Sequence, residues 1–146
     1  MKILYGAYHP DAGEIRFDGG PVRIGSPADA RRLGIAVIFQ EFSLVPYLSV
    51  AQNIFLGREF RGRLPGQIDH GRMYAEATRL LRMLGMELDT RTLVHRLGVA
   101  QQQMVEIAKA LSQNARILVM DEPTAALSDR EIERLFAVIR RLRGEG

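Results

Sequence analysis

Four large apolar residues in a row, Ile117-Leu118-Val119-Met120, give way without transition to Asp121-Glu122-Pro123-Thr124. An unalternated run of this kind predicts a strand covered on both faces, as in the middle of a parallel sheet. Two adjacent carboxylates do not belong in such surroundings. They must emerge at the carboxyl end of the strand, where open α/β sheets gather their ligands. The plain alternative is an ordinary exit from strand to loop that carries two solvated acids.

Three further stretches favour chemistry at that strand end. Leu97-Gly98-Val99-Ala100-Gln101-Gln102-Gln103 is a small-residue turn opening a helix, with Met104, Ile107, Ala108 and Leu111 on one face. Backbone N–H groups at such a helix start can approach a phosphate closely, and the helix dipole favours the negative charge. Ile35-Ala36-Val37-Ile38-Phe39 reads as a second buried strand, ending in Gln40-Glu41. The Gln40 side chain offers a carbonyl to a metal or water and an amide donor besides. Directly after the paired acids, Ala125-Ala126-Leu127-Ser128 leads into a new helix. In nucleotide hydrolases an Asp placed like Asp121 supports Mg²⁺, and a following Glu can polarise the attacking water.

In this order the four features resemble the ATP-binding cassette (ABC) ATPases that drive ABC transporters. Gln40 matches the Q-loop glutamine, Leu97, Gly98, Val99, Ala100 and Gln101 the Leu-Ser-Gly-Gly-Gln signature, residues 117–122 the Walker B strand, and Ala125 to Ser128 the D-loop. Gln40-Glu41-Phe42-Ser43-Leu44-Val45-Pro46, Ala51-Gln52-Asn53-Ile54-Phe55-Leu56-Gly57-Arg58-Glu59 and Gln101 to Ala110 are similar to the first cassette of monosaccharide importers of the ribose, xylose and galactose type. Those ATPases fuse two cassettes in one polypeptide.

The resemblance implies an α/β fold, a partial P-loop NTPase with a small antiparallel β-subdomain and a helical subdomain. Residues 1–42 and 112–146 would be pieces of the α/β core, and 43–111 the helical subdomain with the signature. The implied ligands are ATP and Mg²⁺. Glu122 would be the general base, Asp121 the metal-supporting acid, and Gln40 a further metal and water contact reporting to the transporter. Residues 97–101 would act in trans on ATP held by a second, head-to-tail cassette. Transmembrane permease subunits would be the other direct partners, with a periplasmic sugar-binding protein acting through them. The implied location is cytoplasmic, peripheral on the inner face of the membrane, and the implied product is sugar uptake powered by ATP hydrolysis.

Three departures from the family pattern stand out. These 146 residues contain no Gly-x-x-x-x-Gly-Lys-Ser/Thr phosphate loop, and their only lysines, Lys2 and Lys109, do not follow glycine. Met1 to Gly6 looks like the helix that should come just after that loop, so the polypeptide is expected to begin too late and to bind little ATP in cis. The family's switch histidine is also absent, because His9, His70 and His95 all precede Glu122. In the signature, Gly98, Val99 and Ala100 replace Ser, Gly and Gly. Losing the serine hydroxyl removes a donor worth roughly 1 kcal/mol, and the added methyls limit close backbone approach. A degenerate composite site of this sort fits a two-cassette importer.

Composition excludes other classes. No apolar run approaches the roughly 18 residues that span a bilayer, and mean hydropathy is −0.07. The first residues do not form a secretory leader. Zero cysteines remove disulfides and thiolate metal sites and agree with a reducing compartment. Net charge is +3, yet the arginines at 58–63 and 140–143 read as solvated faces without interleaved aromatics, so no nucleic-acid partner is expected. A relative acting on nucleic acid should also carry a long insertion between Gln40 and Leu97, whereas only 56 residues lie there and they lack heptads. The remaining alternative is a catalytically inactive cassette remnant that only binds transporter subunits or a partner cassette.

Local signals complete the reading. Met1 to Ala7 reads as a helix remnant, and Glu14 to Asp18 as a half-buried strand closed by Asp18-Gly19-Gly20. Ser26-Pro27 starts a short helix that Gly34 ends, and Ser49 caps a helix running to Leu56. Phe60 to Gly66 reads as a flexible loop. Asp69 starts a helix whose stripe is Met73, Ala77, Leu80, Leu81 and Leu84. The last helix opens with a Ser128/Glu131 capping box and presents Ile132, Leu135, Phe136, Ile139 and Leu142 to the core. The run from Val45 to Phe55 is read either as a contact surface for membrane subunits or as the core of its own subdomain.

Overall fold

The computed structural model describes residues 1–39, 41–64, 66–122 and 127–144. Strands β1 (Ile15–Phe17) and β2 (Gly20–Val22) form an antiparallel hairpin. Its tight turn holds Asp18 and Gly19 at φ 50 and 80, the positive values that a two-residue hairpin of this hand requires. Helix α1 (Pro27–Arg32) follows, with the Ser26 hydroxyl accepting from the Asp29 N–H and proline in the first turn. Strand β3 (Ile35–Ile38) pairs in parallel with β4 (Ile117–Met120), Ile35 opposite Ile117 and Ile38 opposite Met120. Between the two strands run helices α2 (Val50–Ile54), α3 (His70–Met83) and α4 (Val99–Leu111), and α5 (Asp129–Gly144) comes last.

Strand β3 divides two apolar clusters by the two-residue period of a strand. Ile35 and Val37 face the small cluster built with Ile24, Ala30 and the hairpin, while Ala36 and Ile38 face the main core of α2, α3 and α4. The α3 stripe is buried as its spacing predicts, from Met73 through Leu84. Helix α4 is buried more fully than a one-faced pattern implies. Gln103 through Ala108 are all enclosed, because α2 and α3 pack on one side and β3 on another.

Strand β4 departs from expectation. Leu118 and Met120 pack on the main core, but Ile117 is 43% exposed and Val119 belongs to neither cluster. The hairpin and α1 cover only the β3 half of that face, so β4 is not dry on both sides. Residues 1–7 form a single turn rather than a helix. The Gly6 N–H donates to Ile3 and the Ala7 N–H to Lys2, a helix-ending pattern completed by Gly6 at φ 79.

Helix α2 stops at Ile54, and Gly57 at φ 73 closes the turn that follows. Where Phe60 to Gly66 reads as a flexible loop, residues 60–62 pair instead with 67–69, the Asp69 N–H donating to the Phe60 carbonyl and the Gly62 N–H to that of Gln67. In α5 only Leu135 of the expected stripe is fully buried, and Phe136 is 45% exposed. The Ser128/Glu131 box is half made. The Glu131 carboxylate accepts from the Ser128 N–H at 2.8 Å, but the hydroxyl donates to that carboxylate instead of capping the Glu131 amide. No helix among the described residues is long and apolar enough to cross a membrane.

Candidate functional site at the strand ends

Parallel pairing carries β3 and β4 to the same edge, and the Asp121 N–H extends the ladder by donating to the Ile38 carbonyl at 3.0 Å. Asp121 and Glu122 are both exposed just beyond it. Glu122 is held at φ 43, a left-handed conformation uncommon outside glycine and asparagine. Phe39, the residue just after β3, meets the Tyr5 ring edge-on at 5.0 Å, so the N-terminal turn sits beside the same strand end. The placement of the acids at a β-strand's carboxyl edge is thus as expected. Gln40 and Ala125, named with them from the sequence, lie outside the described residues.

The turn at 97–101 is built differently. Leu97 is buried and anchors the motif to the core, while Gly98, Val99 and Gln101 are exposed at the start of α4 and Ala100 is half-buried. Gly98 is the N-cap in extended conformation, and its N–H is taken by the Gln101 side-chain oxygen at 3.2 Å. The Gln102 amide donates to the Leu97 carbonyl at 3.0 Å, fixing the turn from behind. Gly98, Ala100 and Gln101 line a groove of about 680 Å³ with Leu127, just before α5, and Glu131 in its first turn. The turn at 97–101 and the segment around Ser128 therefore share one surface, which Asp121 and Glu122 do not line.

Among the described residues no three His, Asp or Glu side chains gather as a metal cage. The exposed carboxylate pair fits Mg²⁺ in the manner usual for that ion, with one or two protein acids and the remaining positions left to water and phosphate. Both lysines are engaged elsewhere. Lys109 Nζ donates to the Ser43 hydroxyl at 2.9 Å, and Lys2 Nζ lies over the Tyr8 ring.

Two polar anchors were not legible from the sequence. Asn53 is fully buried and binds Val45, Leu48 and Ser49 through their backbone. Glu106 is 7% exposed and grips Ser43 from α4. The available hint was a polar residue interrupting an apolar neighbourhood, Asn53 before Ile54-Phe55 and Glu106 between Val105 and Ile107.

A parallel sheet bearing acids at its edge, a small antiparallel hairpin and a helical set inserted between the strands define a partial P-loop ATPase fold. The family model described as ABC transporter matches residues 1–125, and the chain belongs to that family. It is 59% identical over all 146 residues to ribose import ATP-binding protein RbsA 1 of Rubrobacter xylanophilus, and 57% identical to ribose import ATP-binding protein RbsA 2 of Streptomyces coelicolor. It spans 29% and 28% of those relatives' lengths. Among solved structures it resembles a nucleotide-free ATP-binding cassette from an ABC transporter, with a TM-score of 0.82 at 23% identity over 99% of this chain and 60% of that one. It also resembles a dimeric cassette in a post-hydrolysis state bound to ADP and Pi, with a TM-score of 0.73 at 26% identity over 99% and 63%.

Proposed function

We propose that this sequence forms part of an ATP-hydrolysing subunit that energises sugar uptake through an ABC importer. The observation that carries the reading is the 59% identity to a ribose import ATP-binding protein, sustained along the entire chain. ATP and Mg²⁺ are the proposed ligands, with 1–42 and 112–146 serving the α/β core and 43–111 the helical subdomain. When bound, Mg²⁺ supplies positive charge to the phosphate oxygens. Asp121 would hold and orient that ion, Glu122 would accept a proton from the attacking water at its carboxylate, and Gln40 would complete the shell. Residues 97–101, with Ser128 nearby, face nucleotide on a second cassette.

The proposed partners are that cassette and membrane permease subunits, served in turn by a sugar-binding protein, which puts the subunit on the cytoplasmic face of the membrane. For the permease contact, the supporting surface is Val45-Pro46-Tyr47, where Tyr47 is 79% exposed, while Ile54 and Phe55 turn inward to the core. The run from Val45 to Phe55 thus has an outward and an inward part. Deleting the gene that carries this sequence is expected to abolish uptake of radiolabelled ribose or a related sugar, and complementation to restore it. Undiminished uptake of pentoses and hexoses in the deletion strain overturns the proposal.

A further inference from the structure

Ser43 lies three residues beyond Gln40 and is gripped by two side chains one turn apart on α4. The Glu106 carboxylate accepts from the Ser43 N–H at 2.6 Å and from its hydroxyl at 2.9 and 3.2 Å. Lys109 Nζ donates to the Ser43 hydroxyl at 2.9 Å and to its carbonyl at 3.2 Å. Every polar group of Ser43 is therefore engaged by α4. Leu44 is buried in the main core and Phe42 packs against it, so the grip has an apolar seat on either side.

The chemistry of Glu106 makes this more than a surface contact. A carboxylate on a residue that is only 7% exposed loses most of its hydration, and only strong hydrogen bonds offset that loss. Among the described residues, all the hydrogen bonds it accepts come from Ser43. A charge-assisted bond to a backbone N–H is short and directional, so it fixes the backbone of residue 43 and not merely a mobile side chain. Helix α4 is continuous from Val99 to Leu111, which joins Glu106 rigidly to the exposed turn at 98–101.

We propose that Glu106 is a positioning residue that locks the segment following Gln40 to the signature helix, so that the two move as one body. The consequence for turnover rests on the function proposed above, while the mechanical link does not. A shift of the β3 end is then passed to residues 98–101 without deforming α4.

Backbone hydrogen exchange on the full chain tests the link directly. In Glu106→Gln and Ser43→Ala, the amides of residues 43–45 and 98–102 are expected to exchange about tenfold faster together, while those of α3 keep their protection. The double variant should be no worse than Glu106→Gln alone. Exchange that rises equally in α3, or at 43–45 without 98–102, overturns the link. In the assembled transporter the same variants should lower the sugar-stimulated kcat for ATP about tenfold and leave KM within about twofold, since positioning rather than nucleotide contact is lost. An unchanged stimulated kcat overturns the functional consequence. A wild-type transporter without sugar-stimulated hydrolysis counts against the proposed function, with the exchange data still deciding the link.

Discussion

The Asp121 N–H meets the Ile38 carbonyl at 3.0 Å, one residue past the last paired position of β3 and β4. That bond holds the first acid to the sheet and leaves Glu122 as the first residue free of the ladder, twisted to φ 43. In the assembled transporter, Glu122→Gln keeps shape and removes the proposed proton acceptor. Hydrolysis should fall by about 10²–10⁴-fold, the usual contribution of a general base, measured as phosphate release. Glu122→Gly should be equally inactive yet slightly more stable, because glycine adopts positive φ without penalty. Turnover by Glu122→Gln within tenfold of the parent would exclude the assigned role.

The loop exposing Tyr47 is pinned from beneath by one amide. Asn53 Oδ1 accepts from the Val45 N–H at 2.7 Å, and Nδ2 donates to the carbonyls of Val45, Leu48 and Ser49 at 3.0, 3.3 and 3.1 Å. Asn53→Ala leaves these backbone groups without their partner in a site closed to water. A loss of about 2–4 kcal/mol is expected from urea unfolding. A loss under about 0.5 kcal/mol would mean that water replaces the amide.

Gly6 and Gly57 separate two reasons for glycine. Both have positive φ, 79 and 73, but a Cβ on Gly6 would lie 2.4 Å from the Ser26 carbonyl carbon and oxygen, while Gly57 faces open space. Gly57→Ala should cost about 1 kcal/mol for conformation alone. Gly6→Ala should cost at least about 2 kcal/mol, because the N-terminal turn must also move off the start of α1. Equal thermal shifts for the two variants would show that the turn separates from Ser26 freely.

Much of this was legible before any coordinates. The Asp69 cap and the Met73-to-Leu84 stripe follow from helical spacing and local capping chemistry, both contained within one segment. The hairpin at Asp18-Gly19 and the caps at Ser26 and Ser49 are local in the same sense. The carboxylate pair was readable because charge after an apolar run has few places to go. What failed depends on neighbours distant in sequence. The exposure of Ile117 and Phe136 is set by which layers reach β4 and α5, and a periodic pattern carries no record of that. Glu106 and Ser43 stand 63 positions apart, so neither announces the other.

Two half-buried acids contribute to the fold's acid sensitivity. The Ser26 hydroxyl, helped by the Gly25 N–H and Arg32, holds the Asp29 carboxyl below its ordinary value of 3.8. The Ser128 hydroxyl and N–H do the same for Glu131, below 4.5. A carboxyl depressed on folding adds stability that is complete above its unfolded pKa and fades as pH falls through the lower folded one. Urea midpoints should therefore be flat from about pH 7 to 5 for these groups and decline below about pH 4.5. Asp29→Asn and Glu131→Gln should each flatten the acid limb, and an unaltered limb in the double variant would remove both groups from the account.

The two lysines decide what the 146-residue polypeptide can do with nucleotide by itself. Lys109 spans from α4 to Ser43, and Lys2 lies 5.5 Å from the centre of the Tyr8 ring. Both are already engaged by protein groups, and these 146 residues contain no glycine-rich phosphate loop whose N–H groups and lysine would hold the β- and γ-phosphates. Asp121 and Glu122 repel a triphosphate unless Mg²⁺ intervenes, and two carboxylates alone do not fix MgATP. Titration with a fluorescent ATP analogue and Mg²⁺ should therefore show no saturation in the micromolar range, where binding requires about −8 kcal/mol. Joining the polypeptide in frame to a phosphate loop and its preceding strand should bring affinity into that range. Micromolar binding by the unextended polypeptide would mean that the strand edge holds phosphate by groups other than the lysines.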